Sequence, residues 1–258
     1  MLKINKDSAL NITFVGIGLC LLCSAIISFI AIQLRSVQEN NVVLDMQKKI
    51  VSSAGLEEVY GSVENAMSNI KTLIIDLDKG EIVNISPDSY ELAKELREDG
   101  RYKFLSAEED IASIKKREKY SKIYIEYKDD KINTLILPVR GYGLWGILYG
   151  YLAIEGDFNT VAGLEFYEHK ETPGLGAEID NPKWKALWKG KKIYQENGEV
   201  SLKVIKGSVL ETSNNFSYEI DGLSGATLTC NGVSNLIAYW MGNDGFLNLI
   251  NNLQKIDV

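Results

Sequence analysis

Two Gly-rich segments carry the residue types best suited to holding an anionic ligand. The first is His169-Lys170-Glu171-Thr172-Pro173-Gly174-Leu175-Gly176. A proline and two glycines in four residues make a loop whose backbone N–H groups can approach a ligand closely. The second is Asp221-Gly222-Leu223-Ser224-Gly225-Ala226-Thr227-Leu228-Thr229, just before a helix expected from Gly232 to Trp240. Hydroxyls, backbone amides and a helix N-terminus together form an anion site, so a phosphate is the expected ligand. Either segment alone also fits a structural turn, because Gly and Ser dominate turns. Their occurrence together after a shared sheet favours one joint site.

Other constellations compete. Ser224, His169 and Asp221 could be assembled into a hydrolase triad, but no G-x-S-x-G elbow is present, and His169 reads as a polar loop residue. Glu168 and Glu171 could act as acid and base, yet carboxylates on a surface loop are usually solvated. Gly141-Tyr142-Gly143-Leu144-Trp145-Gly146 matches G-x-G-x-x-G literally, but β-rich ILYGYLAI follows where a dinucleotide site needs a helix. It therefore reads as a strand entry; Trp145, Tyr149 and Tyr151 invite a stacking role, but alternation along a strand favours core or interface packing. Cys20 and Cys23 share a helix face. They could ligate a metal or cluster with partner subunits, but small apolar packing is the preferred reading and no metal site is assigned. A single histidine excludes a multi-histidine centre in this chain.

These loops need a scaffold, and 258 residues allow one substantial domain or two small ones. The net charge of −7, from 28 basic against 35 acidic residues, gives no basic footprint for nucleic acid. Three cysteines cannot build a disulfide framework. From Leu10 to Leu34 no residue is charged, which matches the roughly 20 apolar residues of a membrane-spanning helix. A signal peptide has an apolar region of only about 7–15 residues and a small-residue cleavage site, so an uncleaved anchor is expected. Lys3 and Lys6 before the run favour a cytoplasmic N-terminus, with the chain from about residue 36 outside.

Beyond the anchor, residues 37–70 read as one or two helices forming a stalk, and 71–85 as a β-hairpin. The charged stretch 88–120 reads as helical. Four strands in near-direct succession follow from Lys122, a short helix with Pro182 at its first position, a strand at 202–205, and helices at 232–240 and 244–253. Trp184 and Trp188, at i and i+4, are expected to pack on the sheet. The fold class is α+β: one N-terminal transmembrane helix, then an extracytoplasmic domain with a twisted, largely antiparallel sheet flanked by helices.

Asp221-x-x-Ser224-Gly225-Ala226-Thr227 resembles the D-x-x-[ST]-G-A-[ST] acceptor motif of FMN-binding domains that carry covalent flavin. The loop from Glu168 to Gly176 resembles the second hallmark of that family, and both motifs together are highly specific. The anchor, VLDMQKKI, LPVRGYGLWGILYGYLAIEGDFNTVAGLEFYEH and DNPKWKALWKGKK extend the resemblance to the C-subunit family of sodium-translocating NADH:quinone oxidoreductases. Residues 78–120 are not part of it.

The resemblance implies covalent FMN esterified through its phosphate to Thr227, which is then an attachment point and not a catalytic nucleophile. Asp221, Ser224, Gly225 and Ala226 would surround that phosphate. His169, Glu171, Thr172, Pro173, Gly174, Leu175 and Gly176 would lie against the flavin. It further implies an electron-relay subunit of a bacterial inner-membrane complex coupling NADH oxidation by quinone to sodium export. Its partners would be the other subunits, and a flavin transferase would mature it. The expected organisation is 1–9 cytoplasmic N-terminus, 10–34 transmembrane helix, 35–120 stalk and variable α/β segment, and 121–258 FMN-binding domain on the periplasmic side. The G subunit of the related ferredoxin:NAD electron-transport complex, and a membrane-anchored ligand-binding module without flavin, are the alternatives.

Overall fold

The computed structural model describes residues 8–256. Lys3 and Lys6, and with them most of the expected cytoplasmic flank, lie outside the described residues. The chain divides into two compact units, residues 1–46 and 47–258.

The first unit consists of helix α1, which spans Ala9–Ser53 and so continues into the second. Its apolar side chains, Leu10 through Leu34, are exposed, and its most apolar window has a mean hydropathy of 2.6. At 1.5 Å per residue the apolar run is long enough to cross a hydrocarbon layer. Cys20 and Cys23 are exposed on it, and no cluster of metal-ligating side chains occurs among the described residues. Beyond the run the helix is uninterrupted, with Arg35 paired to Glu39 one turn on at 3.0 Å.

The second unit begins with the last turns of α1, followed by α2 (Leu56–Tyr60) and α3 (Val63–Ser68). Gly55 and Gly61 bracket α2 at φ of 65° and 77°, a backbone region in which glycine carries no Cβ penalty. The strands are β1 (Ile70–Asp76), β2 (Glu81–Val83), β3 (Tyr102–Phe104), β4 (Lys116–Glu118), β5 (Tyr120–Lys128), β6 (Lys131–Tyr142), β7 (Ile147–Glu155) and β8 (Val161–Glu168). Six of them form an antiparallel sheet in the order β2-β1-β5-β6-β7-β8. Because β1 pairs with β5, the sheet joins residues on both sides of position 120.

The sheet is buried on both faces, which explains the unbroken apolar run in β6. Leu135, Leu137 and Val139 point to one core, with Leu148, Leu152, Leu236 and Trp240. Ile136 points to the other, with Ile50, Val51, Leu56, Tyr124 and Tyr151. After the sheet come α5 (Pro182–Ala186), the parallel pair β9 (Lys203–Val204) and β10 (Glu219–Ile220), α6 (Thr227–Trp240) and α7 (Leu247–Ile256). Asn181 caps α5 by accepting the Lys183 N–H, and Trp184 and Trp188 are buried edge to face, 5.5 Å apart, as their spacing indicated.

Two expectations need correction. The stretch 88–120 is not helical: it holds a one-turn 3-10 segment, α4 (Leu92–Glu95), and the β3–β4 pair. Gly100, Ser113 and Lys115 take left-handed φ values of 82°, 54° and 65°, and Asp110 closes a turn by accepting the Ile114 and Lys115 amides. Of its charged residues, Glu95, Arg117 and Glu118 are buried. Arg117 pairs with Asp78, and the buried Glu118 carboxylate meets the buried Arg140 guanidinium at 2.8 and 2.6 Å. Helix α6 starts at Thr227, one turn before Gly232. Gly232 is an interior contact point, where a Cβ would run into the Tyr142 carbonyl.

Candidate functional site

Strand β8 ends at Glu168 and releases the loop of the first Gly-rich segment. The Thr172 carbonyl accepts the N–H groups of Leu175 and Ala177, each at 3.1 Å, and Gly174 sits at φ 75°. Pro173, Gly174 and Leu175 are thereby held outward and exposed, while Gly176 is buried. His169 is pinned at the base of the loop. Its Nδ1 accepts the Glu171 N–H at 3.2 Å, which leaves Nε2 to donate to Asp180 at 2.8 Å.

Glu171 joins three segments. One carboxylate oxygen accepts the amides of Leu144 and Trp145, both at 3.0 Å, from the turn between β6 and β7. The other accepts the Thr229 hydroxyl of α6 at 2.5 Å. Glu171 and Thr229 are buried. The fit depends on two absent side chains. A Cβ on Gly176 would stand 2.6 Å from both Glu171 Oε2 and Thr229 Oγ1, and one on Gly143 would stand 2.6 Å from Glu171 Oε1. The reading of Glu171 as a solvated loop carboxylate is thus corrected: the donors that surround it draw it inside.

Thr227 is the first residue of α6, and it is exposed together with Ser224, Gly225 and Leu228. The N-cap is Ala226, which is buried and offers no side-chain acceptor to this helix end. Gly225 lies at φ 71°, with the Leu175 side chain 2.9 Å from where its Cβ would be, so the two loops meet there. A cavity of about 410 Å³ opens beside Thr227, lined by Lys206, Ser208, Ser224, Gly225 and Asn231 among others. Asp221 faces the scaffold: its carboxylate accepts the Val209 amide at 2.7 Å and its carbonyl accepts the Trp184 indole N–H at 2.8 Å. Burial pushes the Cys230 thiol up, and its sulfur accepts the Leu223 amide at 3.3 Å.

The two Gly-rich segments therefore meet, and the hydrolase triad does not form, since His169 bonds Asp180 and Asp221 bonds Val209. The literal G-x-G-x-x-G is the β6–β7 turn. Trp145 at its tip is 62% exposed and so is not a core residue of this chain, whereas Tyr151 is buried in the core. Thr229 carried no role in the sequence beyond its place in the motif. Its spacing with Cys230, Val233 and Ile237 on the buried face of α6 was the available signal.

The donor set fits a flavin phosphate. An exposed hydroxyl starts a 14-residue helix with no side-chain cap, beside a glycine cradle and a cavity that contains a lysine. Fold and site together define a helix-anchored α+β protein of the flavin-binding class, and a family model described as FMN-binding domain matches residues 143–242. The C subunit of the Na(+)-translocating NADH-quinone reductase of Pseudomonas aeruginosa is 45% identical over 256 residues, covering 97% of this chain and 98% of that one. The same subunit of Vibrio anguillarum is 40% identical over 94% of each. The crystal structure of Shewanella oneidensis NqrC superposes with a TM-score of 0.72 at 30% identity, covering 81% of this chain and 96% of that chain. A structure of the C subunit from Parabacteroides distasonis gives 0.61 at 27% identity, covering 84% of this chain and 96% of that one. The chain belongs to the NqrC family, the C subunits of Na(+)-translocating NADH-quinone reductases.

Proposed function

We propose that this chain is the electron-relay C subunit of a sodium-translocating NADH:quinone oxidoreductase and carries FMN in phosphoester linkage to Thr227. The observation that carries the attachment is the exposed Thr227 hydroxyl at the first position of α6, a helix end that no side chain caps. An esterified phosphate there lies in the field of the helix dipole, and free backbone amides of the first turn solvate its charge. Ser224, Gly225 and Ala226 leave the hydroxyl accessible to a maturing flavin transferase. Asp221 acts on the loop from below, by fixing its entry to the 209 segment and to α5.

When bound, FMN supplies reversible electron uptake and release, tuned by the stacking and hydrogen bonds of its surroundings. The protein's own work is to bind, orient and shield. The loop 169–176 is held by Glu171 and His169 against the start of α6, so the cofactor contacts a preorganised wall. Residues 10–34 of α1 anchor the domain in a bacterial inner membrane, with the N-terminus cytoplasmic and the domain periplasmic, among the other subunits of the complex. The near-full-length relatives favour this assignment over the G subunit of the ferredoxin:NAD complex.

The test is a denaturing gel scanned for flavin fluorescence before staining. The native sequence and Thr227→Ala are each co-expressed with a flavin transferase. Fluorescence on the native band and none on the variant is the expected result. A dark native band, with the transferase active on a control substrate, would favour the ligand-binding module instead.

A further inference from the structure

Glu165 is a buried carboxylate on β8, and two helices use it at once. Its Oε1 accepts N–H from the Lys185 ammonium of α5 at 2.5 Å and the Ser52 hydroxyl of α1 at 3.0 Å, and its Oε2 accepts from Lys49 of α1 at 3.3 Å. The last turn of α1 is seated on the same strand: Ile50, Val51 and Ser53 are buried, and a Cβ on Gly163 would stand 2.4 Å from the Ser53 carbonyl oxygen. Both lysines keep part of their surface in water, so no charge is buried without a partner.

Helix α5 has only five residues, far fewer than the roughly 12 at which an isolated helix becomes even marginal, so its position is set by what holds it. Lys185 fixes it to β8. The preceding residue, Trp184, leaves the helix on another side, and its indole N–H donates to the Asp221 carbonyl at 2.8 Å. Asp221 opens the acceptor segment, and its carboxylate accepts the Val209 amide at 2.7 Å. A continuous series of contacts thus runs from α1 through Glu165 and α5 to the loop that ends at Thr227. Apolar packing alone could seat α1 on β8 at no loss of stability. What the carboxylate adds is the link from α1 to α5. We infer that Glu165 is a positioning residue for Thr227, and that the last turn of α1 and the flavin-acceptor loop are coupled through its carboxylate. The inference rests on the attachment at Thr227.

The test uses the full chain in detergent as native sequence, Glu165→Leu, Lys185→Met and Lys49→Met, with Glu118→Gln neutralising a buried carboxylate outside this series. The methionine variants alter part-exposed side chains and keep an apolar stem, so the test survives a Glu165→Leu chain that does not fold. Amide hydrogen exchange is read on chains made without a flavin transferase. Flavin incorporation is read as fluorescence on a denaturing gel at intervals after a transferase is induced. Glu165→Leu and Lys185→Met should raise exchange of the Val209 amide and the 221–229 segment, leave β5 to β7 protected, and slow incorporation about tenfold. Lys49→Met should act in the same direction more weakly, because Ser52 still holds α1 to the carboxylate. The double variant of both lysines should slow incorporation by less than the product of the single effects, since both act through one carboxylate. Glu118→Gln should lower the unfolding midpoint without slowing incorporation. Unchanged exchange at Val209 and 221–229 in Glu165→Leu and Lys185→Met, or exchange raised equally across β5 to β7, would overturn the positioning role. A native chain that takes up no flavin while the exchange pattern holds would instead overturn the attachment, a failure the two readouts separate.

Discussion

Replacing Glu171 by alanine removes the acceptor of three hydrogen bonds, from Leu144 N–H, Trp145 N–H and the Thr229 hydroxyl. The two amides sit at a partly exposed turn and can turn to water. Thr229 is fully buried and cannot. Bonds to a charged group contribute about 1.5–3 kcal/mol each, and an orphaned buried hydroxyl costs about 1–3 kcal/mol, so with the amides largely rehydrated the net loss is about 2–4 kcal/mol. At about 2–4 °C per kcal/mol for a unit of this size, the midpoint of thermal unfolding should fall by roughly 4–16 °C. Glu171→Gln keeps the shape and can still accept the two amides through its carbonyl oxygen, so it should lose less than half as much. Differential scanning fluorimetry of the detergent-solubilised full chain, followed through the buried tryptophans, reads both variants. A loss below about 1 kcal/mol for Glu171→Ala would refute the view that this carboxylate ties the three segments together.

Further outcomes follow from other contacts. Glu118→Ala strands the buried Arg140 guanidinium and should cost about 3–5 kcal/mol in denaturant unfolding, far more than a surface pair. Gly176→Ala drives a methyl to 2.6 Å from Glu171 Oε2 and Thr229 Oγ1 and should cost about 1–3 kcal/mol, with reduced flavin incorporation on the gel. Burial pushes the Asp157 carboxyl up, but the Thr160 hydroxyl and amide, the Asn159 amide and Lys192 outweigh it and hold it at about 2, against an ordinary 3.8. The folded state thus gains stability above the ordinary value and loses it as pH falls from 3.8 toward about 2. Asp157→Asn should therefore destabilise by about 1 kcal/mol at neutral pH, after allowance for solvent screening, and by nothing at the acid end of that window. A constant difference across a pH series of urea melts would contradict this. For the anchor, protease added to sealed right-side-out membranes should digest the domain beyond α1, whereas protection in intact vesicles would reverse the orientation.

Much of the fold was legible because local pattern and tertiary environment agree. The strands from Lys122 to Glu168 are β-branched and aromatic runs split by short turns, and they pair in sequence order. Asn181-Pro182 marks a capped helix start by itself. Elsewhere context overrode composition. The stretch 88–120 is rich in helix-forming charges, but its Arg117 and Glu118 are drawn onto the sheet by Asp78 and Arg140, partners distant in sequence. The start of α6 was placed late because Gly225, Gly232 and the intervening small residues read as loop, and only the close approach of Gly232 to Tyr142 explains a glycine inside the helix. The two loops of the site were visible as motifs. Their junction was not, since a loop glutamate gives no sign in sequence that its oxygens are needed by a turn 27 residues earlier and a helix 58 residues later.

Peptide mass spectrometry decides whether Thr227 carries the phosphoester. The full chain, matured with a flavin transferase, is digested, and the peptide containing Ser224 to Thr229 is fragmented. The expected mass is that of the peptide plus FMN less one water, with the fragment series assigning it to Thr227. An unmodified peptide from a matured sample, or the same mass carried on Ser224 or Thr229, would contradict it.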